Sequence, residues 1–160
     1  MTSRTLPLVE QLAAQLLQRQ WLLATAESCS GGLIAGACTD LSGSSNWFER
    51  GFVTYSNAAK TELLGVDASL MAHHGAVSEP VARAMAEGAL KHSPAQVAVA
   101  VTGVAGPTGG TPDKPVGLVW FAFALPGRVL SEQMNFAGDR AAVRAATVHH
   151  ALQRLTELII

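Results

Sequence analysis

Positions 26 to 32 read Ala26-Glu27-Ser28-Cys29-Ser30-Gly31-Gly32, two hydroxyls and a thiol followed by paired glycines. The stretch lies where an apolar run, Trp21 to Ala26, gives way to a small-residue helical pattern, Leu33 to Cys38. A strand-to-helix corner of this kind offers free backbone N–H groups, and glycines let a ligand approach the main chain. Candidate nucleophiles beside such donors are the parts of an acyl-transfer site. The same residues also fit a serine N-cap on an ordinary helix, and the corner alone leaves both readings open.

A serine hydroxyl is a poor nucleophile at neutral pH and needs a base. None of the five histidines has a claim: His73-His74 follows a short helical pattern, His92 ends one, and His149-His150 lies inside another. Neighbours on a helix point about 100° apart, so neither pair converges on one metal, and no metal is expected. Lys60 is the better candidate, one turn into the helix that follows Thr54-Tyr55-Ser56-Asn57. To serve as a base it must lose its proton near neutrality, through burial or a nearby cation such as Arg50 or Arg140. A solvated helical lysine is the competing reading. Lys114 sits in a loop that could be mobile. Cys29 at a helix start is a second nucleophile candidate. No histidine is spaced to pair with it, which favours Ser28.

Two further segments suit an anion. Thr102-Gly103-Val104-Ala105-Gly106-Pro107 follows an apolar run and can cradle phosphate with backbone N–H groups, although it is neither a P-loop nor a dinucleotide fingerprint. Gly138-Asp139-Arg140 opens the last helix and sets a guanidinium near a positive helix end. A surface ion pair is the alternative for Arg140.

The elements that must position these residues follow from periodicity. Leu8, Val9, Leu12, Leu16 and Leu17 predict a first helix ending near Gln20. Strands are expected at Trp21 to Ala26, Gly51 to Ser56 and Val97 to Val101, with a hairpin of Gly117 to Ala124 and Val129 to Phe136. Helices are expected from Leu33 to about Asp40, from an Asn57 cap to Leu64, from Asp67 to His74, and after the Ser78 cap. Ser42 to Asn46 and Gly103 to Pro115 are loops, and Asp139 caps a last helix with the stripe Val148, Ala151, Leu152, Leu155, Ile159. This order predicts an α/β fold: a three-layer α/β/α sandwich with a mixed, mostly parallel β-sheet containing one antiparallel hairpin. Parallel strands before Ser28, Ser56 and Thr102 would open all three loops at one end, where such folds bind ligands.

Composition bounds the rest. The chain has 160 residues, 49% hydrophobic and 14% charged, with no repeat or linker, so one domain over 1–160 is expected. So few charges cover a monomer poorly and point to a homo-oligomer. A net charge of −1 from 11 basic and 12 acidic residues, scattered along the chain, argues against a nucleic-acid partner. No apolar run approaches the roughly 20 residues of a membrane span. With only Cys29 and Cys38, and no secretory signal pattern, the cytoplasm is the expected compartment.

Taken together, the segments resemble the CinA C-terminal domain family, the nicotinamide-nucleotide amidohydrolases. The matching stretches are 26–32, Gly43-Ser44-Ser45, 48–57 with Lys60, Gly75-Ala76-Val77-Ser78-Glu79, 102–107, Lys114-Pro115-Val116-Gly117 and 138–140, in the family's order. One departure is Ser30, where members often carry threonine; the hydroxyl is kept. The resemblance implies hydrolysis of the amide of nicotinamide mononucleotide to nicotinic acid mononucleotide and ammonia in pyridine-nucleotide recycling. It implies neither metal nor organic cofactor, and a stand-alone version of a domain that larger relatives join to another. Joined to the residue-level reading, it makes Ser28 the nucleophile and Lys60 the base, with N–H groups of Ser30 to Gly32 holding the oxyanion. Ser30, Ser44 or Ser45 would relay protons or bind substrate, and Tyr55 or Glu27 would face the pyridinium. Thr102, Gly103, Gly106 and Arg140 would hold the phosphate, with Gly31, Gly32 and Asn57 completing the substrate-binding set. A non-catalytic nucleotide-binding module and an amidase for another small amide remain as rivals.

Overall fold

The computed structural model describes residues 4–160. Helix α1 (Leu6–Arg19) leads into strand β1 (Leu23–Glu27), helix α2 (Leu33–Thr39) and a short 3-10 turn at Ser44–Asn46. Strand β2 (Phe48–Val53) follows, then helices α3 (Asn57–Leu64), α4 (Ala68–His74) and α5 (Glu79–Lys91). Strands β3 (Val97–Gly103), β4 (Leu118–Leu125) and β5 (Arg128–Asn135) precede the long helix α6 (Arg140–Leu158).

One mixed sheet runs in the order β2-β1-β3-β4-β5. β1 lies parallel to β2 and to β3, and β3-β4 and β4-β5 are antiparallel. The expected three-layer architecture and hairpin are therefore present. Two reversals return β5 to the direction of β3, so the chain leaving β5 enters α6 at the carboxyl end of β1, β2 and β3. That topology brings Arg140 to the same end as Ser28 and Lys60.

The two faces of the sheet are written into β3 and β4 as an alternation of large and small residues. Val97, Val99, Val101, Phe121 and Phe123 pack with buried residues of α1, α2 and α6. Ala98, Ala100, Ala122 and Ala124 face the other way, with Ala24 and Ala26, against Val81, Ala82, Met85 and Ala86 of α5. Alanine on that face lets α5 lie close to the sheet and leaves room for α3 beside it. Gly88 of α5 marks the closest approach: a Cβ there would stand 2.1 Å from the Leu64 carbonyl oxygen at the end of α3. Gly88→Ala should therefore destabilise the fold by about 1–3 kcal/mol. Urea denaturation measures this, and an unchanged midpoint would mean that α3 can shift freely.

Several boundaries differ from expectation. β2 begins at Phe48 and ends at Val53, three residues before its expected limits, because it pairs along β1 from Leu23↔Phe48 to Glu27↔Val53. Ser56 is thereby freed to cap α3, its Oγ accepting from Ala59 N at 3.0 Å, and Asn57 becomes the first helical residue instead of the cap. Leu17, expected in the α1 stripe, is exposed, while Val9, Leu12, Ala13 and Leu16 are buried. Ser78 starts α5 in extended backbone, yet its hydroxyl donates back to the Gly75 carbonyl rather than capping the helix. β1 starts at Leu23, two residues later than the apolar run, since Trp21 N–H still bonds the α1 carbonyl of Leu16.

Candidate active site

Ser28 follows the last residue of β1 and is fixed by main-chain bonds on both sides. Its N–H donates to Val101 of β3 at 3.1 Å, and its carbonyl accepts from Gly31 N–H at 3.0 Å. Gly31 and Gly32 have φ of +61° and +103°, the left-handed backbone that lets the chain turn within two residues into α2. Thr54 N–H donates to the Glu27 carbonyl at 2.9 Å, which carries the β1-β2 pairing one step further and brings the start of α3 beside Ser28.

Lys60, one turn into α3, reaches back over its own helix start. Its Nζ stands 3.0 Å from Ser28 Oγ, 3.0 Å from the Thr54 carbonyl oxygen and 3.4 Å from that of Tyr55. Only 1% of Lys60 and 8% of Ser28 is exposed. Burial pushes the Lys60 amine below the ordinary lysine value of 10.5, since no carboxylate bonds it among the described residues. A neutral amine has two N–H donors and one lone pair. Nζ can donate to all three oxygens as an ammonium; once deprotonated it would keep two donors for the Thr54 and Tyr55 carbonyls and turn its lone pair to the Ser28 hydroxyl. Cys29 is 6% exposed, and burial, reinforced by the Glu27 charge, pushes its thiol up to about 11. It stays protonated at neutral pH, so it neither competes with Ser28 nor lends Lys60 a counter-charge.

These groups open into a cavity of about 300 Å³ whose walls include Ser28, Lys60, Tyr55, Asn57, Thr102 and Arg140. Gly103 and Gly106 line it too, so eight of the residues expected at the site converge there. Thr102 Oγ1 donates to the Ala76 carbonyl at 2.9 Å and ties the α4-α5 connection to the end of β3. Arg140 is exposed, and its Nη1 and Nη2 donate to the Gly106 carbonyl at 2.8 Å and the Tyr55 hydroxyl at 3.0 Å. Both partners are neutral, so the guanidinium charge at the cavity mouth stays uncompensated. A larger hollow of about 630 Å³, between Phe136 and the outer side of α6, holds no comparable pair of nucleophile and base.

The other expected residues are elsewhere. Glu27 is fully buried, accepting from Ser30 Oγ at 2.5 Å and from the N–H groups of Ile34 and Ala35 at 2.9 and 3.0 Å. It therefore anchors the start of α2 and does not face a ligand. Ser30, fully buried and turned to Glu27, is outside the cavity and cannot relay a proton there. Gly31 spends its N–H on Ser28, which removes it from the oxyanion donors. Among the described residues the N–H groups of Cys29, Ser30 and Gly32 donate to no other residue, and of the three only Cys29 lines the cavity. Ser44 and Ser45 precede β2 and so lie at the amino ends of the strands, away from Ser28. Lys114, expected in a mobile loop, instead hydrogen-bonds the His74 carbonyl.

Residues that sequence reasoning did not assign to the site include Ala76 and Val77 of the α4-α5 connection, and Thr108 and Gly109 beyond the β3 loop. Ala76 and Val77 belong to the 75–79 stretch that carries the family resemblance, and Thr108 and Gly109 to the glycine-rich loop at the carboxyl end of β3.

Nicotinamide-nucleotide amidohydrolase PncC of Enterobacter agglomerans is 56% identical over 144 residues, covering 89% of this chain and 88% of the relative. The protein of the same name from Escherichia coli K12 is 52% identical over 154 residues, covering 96% and 93%. The crystal structure of competence/damage inducible protein CihA from Agrobacterium tumefaciens superposes with a TM-score of 0.95 at 46% identity, covering 99% of this chain and 97% of that one. The family model of the CinA C-terminal domain matches residues 5–159, and the chain belongs to that family.

Proposed function

We propose that this chain hydrolyses the carboxamide of nicotinamide mononucleotide, releasing ammonia and nicotinic acid mononucleotide, with Ser28 as nucleophile and Lys60 as general base. The observation that carries the reading is the 3.0 Å approach of a buried Lys60 Nζ, with no carboxylate partner among the described residues, to Ser28 Oγ at a cavity wall. A binding module has no use for that pair, and the relatives named above supply the substrate class.

Lys60 takes the Ser28 proton on its lone pair while Oγ attacks the carboxamide carbon. The oxyanion is held by backbone N–H groups of the corner, each such donor being worth about 3 kcal/mol in comparable sites. As the C–N bond breaks, protonated Lys60 returns the proton to the leaving nitrogen, and ammonia departs. Lys60 then takes a proton from water, whose oxygen attacks the nicotinoyl ester, and the proton passes back to Ser28 Oγ. Thr102, the 103–106 backbone and Arg140 hold the phosphate at the far wall, and the Tyr55 ring lies against the pyridinium.

The test is to incubate purified protein with nicotinamide mononucleotide, nicotinamide riboside and unrelated small amides while following ammonia. Release from the mononucleotide alone supports the reading, and release from the unrelated amides alone replaces the substrate. No release from any of them sinks the enzyme. Arg140→Ala should raise KM by about 10- to 100-fold and leave kcat within a few-fold, since a charge-assisted phosphate contact is lost equally from ground and transition states. An unchanged KM would remove Arg140 from the phosphate site.

A further inference from the structure

Arg144 lies one helical turn after Arg140 on α6 and has no role in the steps above. Its Nε donates to the Cys29 carbonyl at 3.2 Å and its Nη2 to the Ser30 carbonyl at 3.3 Å. Among the described residues no carboxylate pairs with it. A cation from the far end of the chain thus spends its hydrogen bonds on the two residues that follow the nucleophile. In a trans peptide the C=O and N–H point in opposite directions. Holding the Cys29 carbonyl against α6 therefore turns the Ser30 N–H away from α6. Gly31 N–H, bound to the Ser28 carbonyl, does the same for the N–H of Cys29. Of these two N–H groups, that of Cys29 belongs to a residue bordering the cavity, whereas Ser30 lies outside it.

We propose that Arg144 is a positioning residue that clamps the corner behind Ser28, so that the Cys29 N–H at the cavity wall is preset as an oxyanion donor for attack by Ser28. The inference rests on the amide-hydrolase reading, and it differs from the role of Arg140. Arg140 faces the cavity and bears on substrate affinity, whereas Arg144 grips the corner from behind and bears on the transition state.

The experiment compares wild type with Arg144→Ala and Arg144→Lys in two assays. In steady-state ammonia release, Arg144→Ala should lower kcat about 100-fold with KM within about threefold of wild type. Arg144→Lys, which keeps a charge but loses the fork, should fall between, and methylguanidinium should restore part of the Arg144→Ala activity. The second assay is the rate of labelling by an alkyl fluorophosphonate. There Ser28 Oγ bonds phosphorus, the P–F bond breaks, fluoride leaves, and the hydroxyl proton passes to Lys60. The phosphoryl oxygen occupies the oxyanion position, so labelling should slow in the same order. A kcat and labelling rate within threefold of wild type in Arg144→Ala overturn the proposal. So does a loss that accompanies unfolding by circular dichroism and that neither lysine nor methylguanidinium repairs. Wild-type protein that takes the label but releases no ammonia from nicotinamide mononucleotide loses only its assigned substrate, and the labelling rates still decide Arg144. Protein that does neither overturns both.

Discussion

Ser28→Ala should lower ammonia release from nicotinamide mononucleotide by at least about 10⁴-fold while substrate still binds. Among the described residues lining the cavity, the Ser28 hydroxyl is the one within hydrogen-bond reach of Lys60 Nζ. The neighbouring thiol of Cys29 is held protonated, its value pushed up to about 11 by burial. The Ser28 side chain hydrogen-bonds only Lys60 Nζ, and the main-chain bonds to Val101 and Gly31 do not depend on it. Stability should therefore move by about 1 kcal/mol or less. Cys29→Ala is the matched control, expected to keep activity within about threefold. The measurements are ammonia release, calorimetric titration with the mononucleotide, and urea midpoints. Substantial turnover by Ser28→Ala, or loss of turnover in Cys29→Ala with the fold intact, would move the nucleophile to another atom.

The order of helices and strands was legible because each element carries its own period. β3 and β4 go further and print both faces of the sheet as large–small alternation, from Val97 to Val101 and from Phe121 to Ala124. The approach of Ser28 and Lys60, 32 residues apart, was not in the spacing. It depends on β2 returning parallel beside β1, so that the chain enters α3 at the end where β1 stops. The errors at the site have local causes. The resemblance offers Tyr55 or Glu27 for the pyridinium, and the motif alone does not choose between them. But α2 starts at Gly32, which has no side chain to cap it, so the N–H groups of Ile34 and Ala35 need an acceptor from elsewhere. Glu27, the last residue of the preceding strand, supplies it and takes Ser30 with it. Ser44 and Ser45 were misplaced although the element order held the answer: they precede a strand, and the cavity lies where strands end. Arg144 carried no signal, since its partners are main-chain carbonyls more than 100 residues earlier.

Lys60→Met should abolish turnover as fully as Ser28→Ala and at the same time stabilise the fold. Both effects come from one feature, the burial of an amine that has no carboxylate partner among the described residues. With Lys60 as the proposed base, activity would need the neutral amine, so kcat/KM of the wild type should rise with pH through the Lys60 value of the free enzyme. Burial places that value below the ordinary 10.5, so the rise comes at lower pH than a solvated lysine would give. Stability follows the same titration. With the folded value depressed and the unfolded value ordinary, the unfolded chain holds more protons between the two, and stability increases with pH across that window. Below the folded value the protein must bury an ammonium, and the full penalty applies. Methionine fills the same space with no charge to desolvate, so the Lys60→Met advantage in Tm should be largest at low pH and shrink as pH rises towards the unfolded value. Lys60→Arg, permanently charged, should be inactive without the gain in Tm. Thermal melts across pH, read beside the pH–rate profile, check both halves. A Lys60→Met protein that is active, or whose Tm advantage grows with pH, would show that Lys60 is an ordinary charged lysine and not the base.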